Sequence, residues 1–329
     1  MTDQEIYDIT IIGGGPVGLF ATFYAGLRQA KVKLIESLMN LGGQPSHLYA
    51  EKYIYDIPAH PKVTGEELGR LLTEQLNLFD PTICLGEEVT MIHPLEDGTF
   101  KLETSKGIHY SRSIILAVGS GAFSPRRIKL DNASSYEGHS LHYFVKDLNS
   151  FKDQVVAVAG GGDSAVDWAL ALEPIASKVY LVHRRQKFRA LEHSVHQLQQ
   201  SSVEILTPYN PSQLIGDGTH LTHLELNKAR TDEFIQLPVD HLIVNYGFSS
   251  HLGPVRNWGL SLSQQSIEVN SLMETSIPGI FAIGDIAQYP GKAKLIATGF
   301  GEAPLAVNEA INYANPEGVT PYIHSTSLF

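Results

Sequence analysis

The sequence predicts an α/β chain of two three-layer units, because one pattern occurs twice and an apolar strand ends in Gly-Asp near its close. The repeated pattern is strand, glycine turn, helix, strand. In the first copy Tyr7 to Ile12 (YDITII) is a short apolar, β-rich run. It leads into Gly13-Gly14-Gly15-Pro16-Val17-Gly18, then LFATFYAGLRQA with helical spacing, then the strand Val32 to Glu36. The turn is a G-x-G-x-x-G sequence, in which Gly13, Gly15, Pro16 and Gly18 allow a tight turn and close approach of a pyrophosphate to a helix N-terminus. Glu36 lies 23 residues after Gly13, the distance at which an acid accepts hydrogen bonds from a ribose. The unit therefore reads as a Rossmann-like dinucleotide site for a ribose with a free 2′-hydroxyl.

The second copy starts with the strand Val155 to Ala159. Gly160-Gly161-Gly162-Asp163-Ser164-Ala165 is G-x-G-x-x-A; a helix is expected over VDWALALEPIA and a strand over Val179 to Val182. The slot held by Glu36 in the first copy is here His183, followed by Arg184 and Arg185, with Arg189 one turn on. A carboxylate would repel a 2′-phosphate, whereas guanidinium groups bind it through charge-assisted hydrogen bonds. The second unit is read as an NADP(H) site. Near the end, Ser276 to Ile283 reads as a turn and a buried strand, placing Asp285 where ligands sit in open α/β sheets. Gly299-Phe300-Gly301-Glu302-Ala303 is expected to open a helix whose N-terminus faces the same place.

Composition bounds the rest. The chain has 329 residues, a formal net charge of −11 and one cysteine. An acidic balance argues against bulk nucleic-acid binding. One cysteine excludes an intramolecular disulfide framework and a CxxC redox pair. No apolar run is long enough to span a membrane and the N-terminal residues do not form a signal peptide, so a cytoplasmic location is expected. Cys84 alternates within a strand-like segment and reads as structural. His139 and His142 have no third ligand near them in sequence, and no metal site is expected.

Together, GGGPVG with Glu36, Leu41-Gly42-Gly43-Gln44, GGGDSA with HRRxxFR, and TxxPGIFAIGD resemble the thioredoxin-reductase-like pyridine nucleotide:flavin oxidoreductases over nearly the whole chain. The stretch where thioredoxin reductases carry CxxC reads Leu141-His142-Tyr143-Phe144-Val145-Lys146-Asp147. That absence and a C-terminal extension ending in Phe329 resemble the ferredoxin–NADP reductases of thioredoxin-reductase type. The resemblance implies FAD and NADPH as cofactors, a homodimer, and an FAD domain split in sequence around an inserted NADPH domain. Joints at Gly119 to Pro125 and Tyr246 to Ser250 put the FAD domain at 1–119 and 248–329 and the NADPH domain at 120–247.

The implied reaction is hydride transfer to flavin followed by single-electron transfer to ferredoxin or flavodoxin. It needs no nucleophile or general base, and no catalytic side chain is named. The resemblance assigns FAD contacts to Glu36, Gln44, Val89, Phe123 and Asp285, with Tyr49 and His324 stacking on the flavin and Thr326 bonding it. Arg126, Arg127 and Lys129, and Lys292 with Lys294, are the basic candidates for docking an acidic carrier. An NADPH oxidase or disulfide reductase, or a non-catalytic flavoprotein that senses NADPH, are the alternatives.

Overall fold

The structure, a computed structural model, describes residues 5–145 and 147–318. Two compact units are present. One takes the chain through Ala122 and again from Ser250; the other is Phe123–Ser249.

The discontinuous unit is built on a seven-stranded sheet. Ile6–Ile12 lies between Val32–Glu36 and Ile108–Leu116, parallel to both. Thr82–Leu85 extends the sheet beyond Val32–Glu36, and Ile280–Ala282 adds in parallel to the end of Ile108–Leu116. The antiparallel hairpin of Val89–Pro94 and Phe100–Thr104 joins the start of that long strand. Side chains alternate along each strand, so the sheet feeds two cores. Ile9, Ile11, Leu34, Ile115 and Phe281 pack with Leu19, Leu72 and Val307 from the helices. Ile12, Ile35, Ile114, Leu116 and Ile280 pack with Ile92, Phe100 and Leu102 of the hairpin and with Trp258. Each fully buried Ile or Leu contributes about 1.5–3 kcal/mol.

The helix Pro16–Leu27 starts with Pro at its first position, where no amide partner is lost. It stops where Gln29 turns left-handed (φ 60°) and Gln29 and Ala30 donate back to Gly26 and Ala25.

The continuous unit has a five-stranded parallel sheet in the order Leu141–His142, His241–Asn245, Val155–Gly160, Lys178–Val182, Glu204–Leu206. One face, with Ala157, Ala159, Tyr180, Val182 and Val244, packs on Leu214, Leu224, Leu226 and Leu237 of a three-stranded antiparallel sheet. The helix Asp163–Leu172 begins three residues before the expected VDWALALEPIA and stops four short of its end. Glu173 itself stays helical (φ −50°, ψ −47°), and Pro174, which has no amide N–H, ends the hydrogen-bond ladder there.

Both joints differ from the plain connections expected. Ala122–Pro125 and Phe248–His251 are short strands that pair with each other. Just beyond them, Arg126 N–H donates to the Gly247 carbonyl at 3.0 Å.

Candidate functional site

In each unit the glycine turn follows a central strand, at the carboxyl end of a set of parallel strands, which is where open α/β sheets hold ligands. In the first unit, Gly13 has φ +109°, and a Cβ there would run into the Ala117 carbonyl. A Cβ at Gly18 would run into the Gly13 carbonyl. These two glycines serve the packing of helix on strand. Gly15 differs: its φ is an ordinary −74°, and the nearest atom to a Cβ would be Gly43 Cα at 3.9 Å. The space over Gly15 is open. The twelve-residue helix starting at Pro16 has no side-chain cap, so its first-turn amides have no side-chain acceptor.

Glu36 is buried at the end of its strand. Its Oε2 accepts Gly14 N–H at 2.5 Å and its Oε1 accepts Leu38 N–H at 2.8 Å. Ser37 O–H also donates to Oε1 at 3.1 Å; a carboxylate has about four acceptor sites, so one remains for a ribose. The Leu41-Gly42-Gly43-Gln44 loop is tied alongside, with Gly42 N–H donating to Gly14 O at 2.9 Å. Gln44 Nε2 lies over Gly119, 3.1 Å from where a Cβ would stand. Gly284 (φ +74°) and Gly299 both pack on Val17 at the start of the first helix, which brings Asp285 to the same region. Tyr49 ends the short helix Gly43–Leu48; burial, with Asp285 and Asp56 nearby, pushes its phenol up to about 12. Val89 begins the hairpin two residues beyond Glu87, whose N–H donates to Glu36 O at 2.9 Å. The structure thus gathers Gly13–Gly18, Glu36, Gln44, Tyr49 and Asp285 within one unit. The Phe123 side chain, His324 and Thr326 lie outside what is described.

Two expectations need correction here. The last helix runs Ile296–Ala314, so it opens three residues before Gly299. No capping side chain marks its start, since Leu295 holds the N-cap position. Lys292 is not a surface cation: its side chain is 1% exposed and forms an ion pair with the equally buried Glu302. Glu302 Oε2 also accepts Gly284 N–H at 2.7 Å, and Oε1 accepts Tyr289 O–H at 2.6 Å. Sequence reasoning missed this group, which is spread over a loop and a helix with no periodic signal. Arg126, Arg127 and Lys129 are exposed, and Arg127 pairs with Glu137 at 2.5 Å.

The second turn repeats the first. Gly160 packs on Asn245 and on Ala165, the residue that stands where Gly18 does. Gly161 faces the His183 ring, as Gly14 faces Glu36. Gly162 is open, with nothing within 4 Å of a Cβ, and the helix Asp163–Leu172 starts from it without a side-chain cap. The basic loop is pinned onto this turn. Arg189 N–H donates to Gly161 O at 2.7 Å, and Asp163 Oδ1 accepts Leu191 N–H at 2.9 Å. His183 stacks on Phe188 at 5.3 Å; burial and then Arg184, Arg185 and Arg189 hold its pKa down, which keeps the ring neutral. Arg184, Arg185, Arg189 and Ser164 are exposed. His183 Nε2 and Asn245 Nδ2 are buried with no protein partner. Open glycines and uncapped helix starts fit a dinucleotide at each turn, and the unpartnered His183 Nε2 and Asn245 Nδ2 add to this at the second.

Two further clusters lie apart from the turns. Cys84 sits with Glu87 and His109, the three ligand atoms within 4.8 Å of one another. Lys33 Nζ donates to His109 Nδ1 at 2.8 Å, so Nε2 carries the proton and donates to Glu87 Oε1 at 2.7 Å. Burial, reinforced by Glu87, pushes the Cys84 thiol up, so it stays protonated. The His142 ring meets His241, 99 residues away, at 3.1 Å.

No helix among the described residues is long and apolar enough to cross a membrane. The profile of the pyridine nucleotide-disulphide oxidoreductase family matches residues 7–310. The chain is 58% identical over 325 residues to ferredoxin–NADP reductase 2 of Listeria monocytogenes, covering 99% of this chain and 98% of that one. It is 56% identical over 327 residues to ferredoxin–NADP reductase of Geobacillus thermodenitrificans, with the same coverage. Among solved structures it resembles thioredoxin reductase of Lactococcus lactis, with a TM-score of 0.79, 27% identity, and coverage of 94% of this chain and 99% of that one.

Proposed function

Because the chain belongs to the pyridine nucleotide-disulphide oxidoreductase family, we propose that it is an FAD-dependent reductase that moves electrons between NADPH and a one-electron carrier protein, ferredoxin or flavodoxin, acting as a cytoplasmic homodimer. The observation that carries this reading is the contrast between two like turns. One holds a carboxylate in the ribose slot and the other a histidine backed by three arginines. The first suits FAD and the second NADPH. The ferredoxin–NADP reductases that the chain matches end to end support the carrier. A dithiol route has no support, since Cys84 is the only cysteine and its thiol stays protonated.

FAD held at the first turn would supply the electronic chemistry, the exchange of a hydride for single electrons. The protein supplies position and environment. The open face of Gly15 and the amides of the first helical turn receive a pyrophosphate, and Glu36 accepts from a ribose hydroxyl. Gln44, Asp285 and Val89 line the remainder. Tyr49, protonated throughout the physiological range, presents a neutral ring for stacking. Gly160, Gly162, Asp163, Ser164 and Ala165 form the second cradle. His183, Arg184, Arg185 and Arg189 take the 2′-phosphate.

The test is steady-state turnover of the FAD-loaded protein with NADPH, following ferredoxin reduction and oxygen uptake together. Ferredoxin reduction well above oxygen uptake is expected. A loaded protein that consumes NADPH with oxygen alone would overturn the carrier assignment.

A further inference from the structure

Lys292 and Glu302 are separated by ten residues, yet their side chains are 1% and 4% exposed and form an ion pair. Burying two charges costs more than most pairs return unless the remaining hydrogen-bonding capacity is filled. Here it is filled. Glu302 Oε2 accepts Gly284 N–H at 2.7 Å, and Oε1 accepts Tyr289 O–H at 2.6 Å as well as the ammonium. That ammonium also stands 5.4 Å from the Tyr289 ring centroid. The Tyr289 phenol is pushed up to about 12 by burial and by its bond to Glu302, so it remains a donor.

The location gives the pair its meaning. Gly284 adopts φ +74°, directly before Asp285, and packs on Val17 in the first turn of the helix that leaves the Gly13–Gly18 turn. Gly299, one helical turn before Glu302, packs on the same valine. Glu302 thereby ties the last helix, the Gly284–Asp285 turn and the start of the first helix to one carboxylate.

We propose that the Lys292–Glu302 pair is a positioning device for the first site, holding the Gly284–Asp285 turn against the bound flavin nucleotide while adding no net charge beside it. This rests on the reading that FAD occupies the Gly13–Gly18 turn. Glu302 supplies the acceptor that fixes Gly284. Lys292 removes the negative charge that the acceptor would otherwise place next to a redox centre whose reduced form is the more negative one. Tyr289 fixes the direction of the carboxylate.

The experiment compares the flavin midpoint potential and the FAD dissociation constant of the holoprotein with those of Glu302→Gln, Lys292→Met and the double variant. Glu302→Gln keeps an oxygen for Gly284 but leaves the ammonium unpaired, and shifts the potential upward. Lys292→Met leaves the carboxylate unpaired, and shifts it downward. The double variant returns toward the wild-type value. Glu302→Ala, which strands Gly284 N–H, weakens FAD roughly ten- to a hundredfold. Should a single variant fail to fold, Tyr289→Phe reports instead: it keeps both charges, removes one donor to Glu302, and lowers the potential from the wild-type value. Equal-sign shifts in the two single variants would overturn the proposal. So would an unmoved potential in Tyr289→Phe where that variant is the reporter. A wild-type apoprotein that does not bind FAD defeats the functional reading itself, a result distinguishable from these.

Discussion

Alanine at Gly15 separates the needs of the fold from those of a ligand. The backbone there has φ −74° and ψ 178°, which any residue adopts, and a Cβ would meet no protein atom closer than 3.9 Å. The substitution therefore costs the folded protein nothing by contact, and loss of glycine's unfolded-state entropy adds about 0.4–1 kcal/mol of stability. A pyrophosphate seated on the turn must approach that same face, and the new methyl forces it away from the helix amides. Each charge-assisted hydrogen bond lost costs about 1.5–3 kcal/mol, or roughly 10- to 150-fold in Kd. Apoprotein melting should stay level or rise slightly, while FAD titration shows the Kd up by at least tenfold. Gly162→Ala, with nothing within 4 Å of its Cβ, should do the same to NADPH and leave FAD alone. Gly13→Ala is the contrast: at φ +109° and against the Ala117 carbonyl, it should impair folding itself. A folded Gly15→Ala protein that holds FAD as tightly as wild type would show that the turn is not the pyrophosphate seat.

Two more expectations follow from the second unit. Removing Arg184 or Arg189, both exposed on the pinned loop, should raise KM for NADPH roughly ten- to a hundredfold with little change for NADH; equal effects on both would remove these residues from the 2′-phosphate site. Burial and the neighbouring His241 lower the His142 pKa from 6.5 to about 4, so the fold favours the neutral ring; the stability this gives is complete above pH 6.5 and is lost as pH falls toward 4. Urea unfolding should show His142→Gln losing about 1–3 kcal/mol less than wild type between pH 7 and pH 4, and parallel losses would place the acid sensitivity elsewhere.

What could be read from the sequence was local. Glycine spacing, strand composition and the acid after the second strand sit within about thirty residues of each other, the length of one strand–turn–helix–strand unit. That is why Gly13–Gly18, Glu36 and the Gly160–Ala165 turn were all legible. Helix ends were legible only where a chemical marker stood. Pro174 carried the information that Leu172 is near the limit, but Leu295 carries none for the start at Ile296. Contacts made by tertiary folding left no trace. His142 meets His241 across 99 residues, and Lys292 reads as a surface charge until Glu302 is brought to it. The Ala122–Pro125 and Phe248–His251 strands were hidden because glycine and serine beside them signal loops more strongly than four residues signal a strand.

The strand Ile108–Leu116 carries a consequence for synthesis on the ribosome. One of its flanks is filled by Ile6–Ile12, already made, but Ile280–Ala282 on the other emerges roughly 160 residues later, about ten to thirty seconds at ordinary elongation rates. The last helix, which supplies Ala303, Ala306 and Val307 to the same core, comes later still. Phe123–Ser249 is contiguous and has its own core, so it can complete folding while the unit that surrounds it still waits for partners. During that interval the end of Ile108–Leu116 is an unpaired parallel edge of Ile114, Ile115 and Leu116, open to pairing with other nascent chains. The order of elements along the gene thus makes the nascent split unit the part of this protein most exposed to aggregation and most dependent on chaperones.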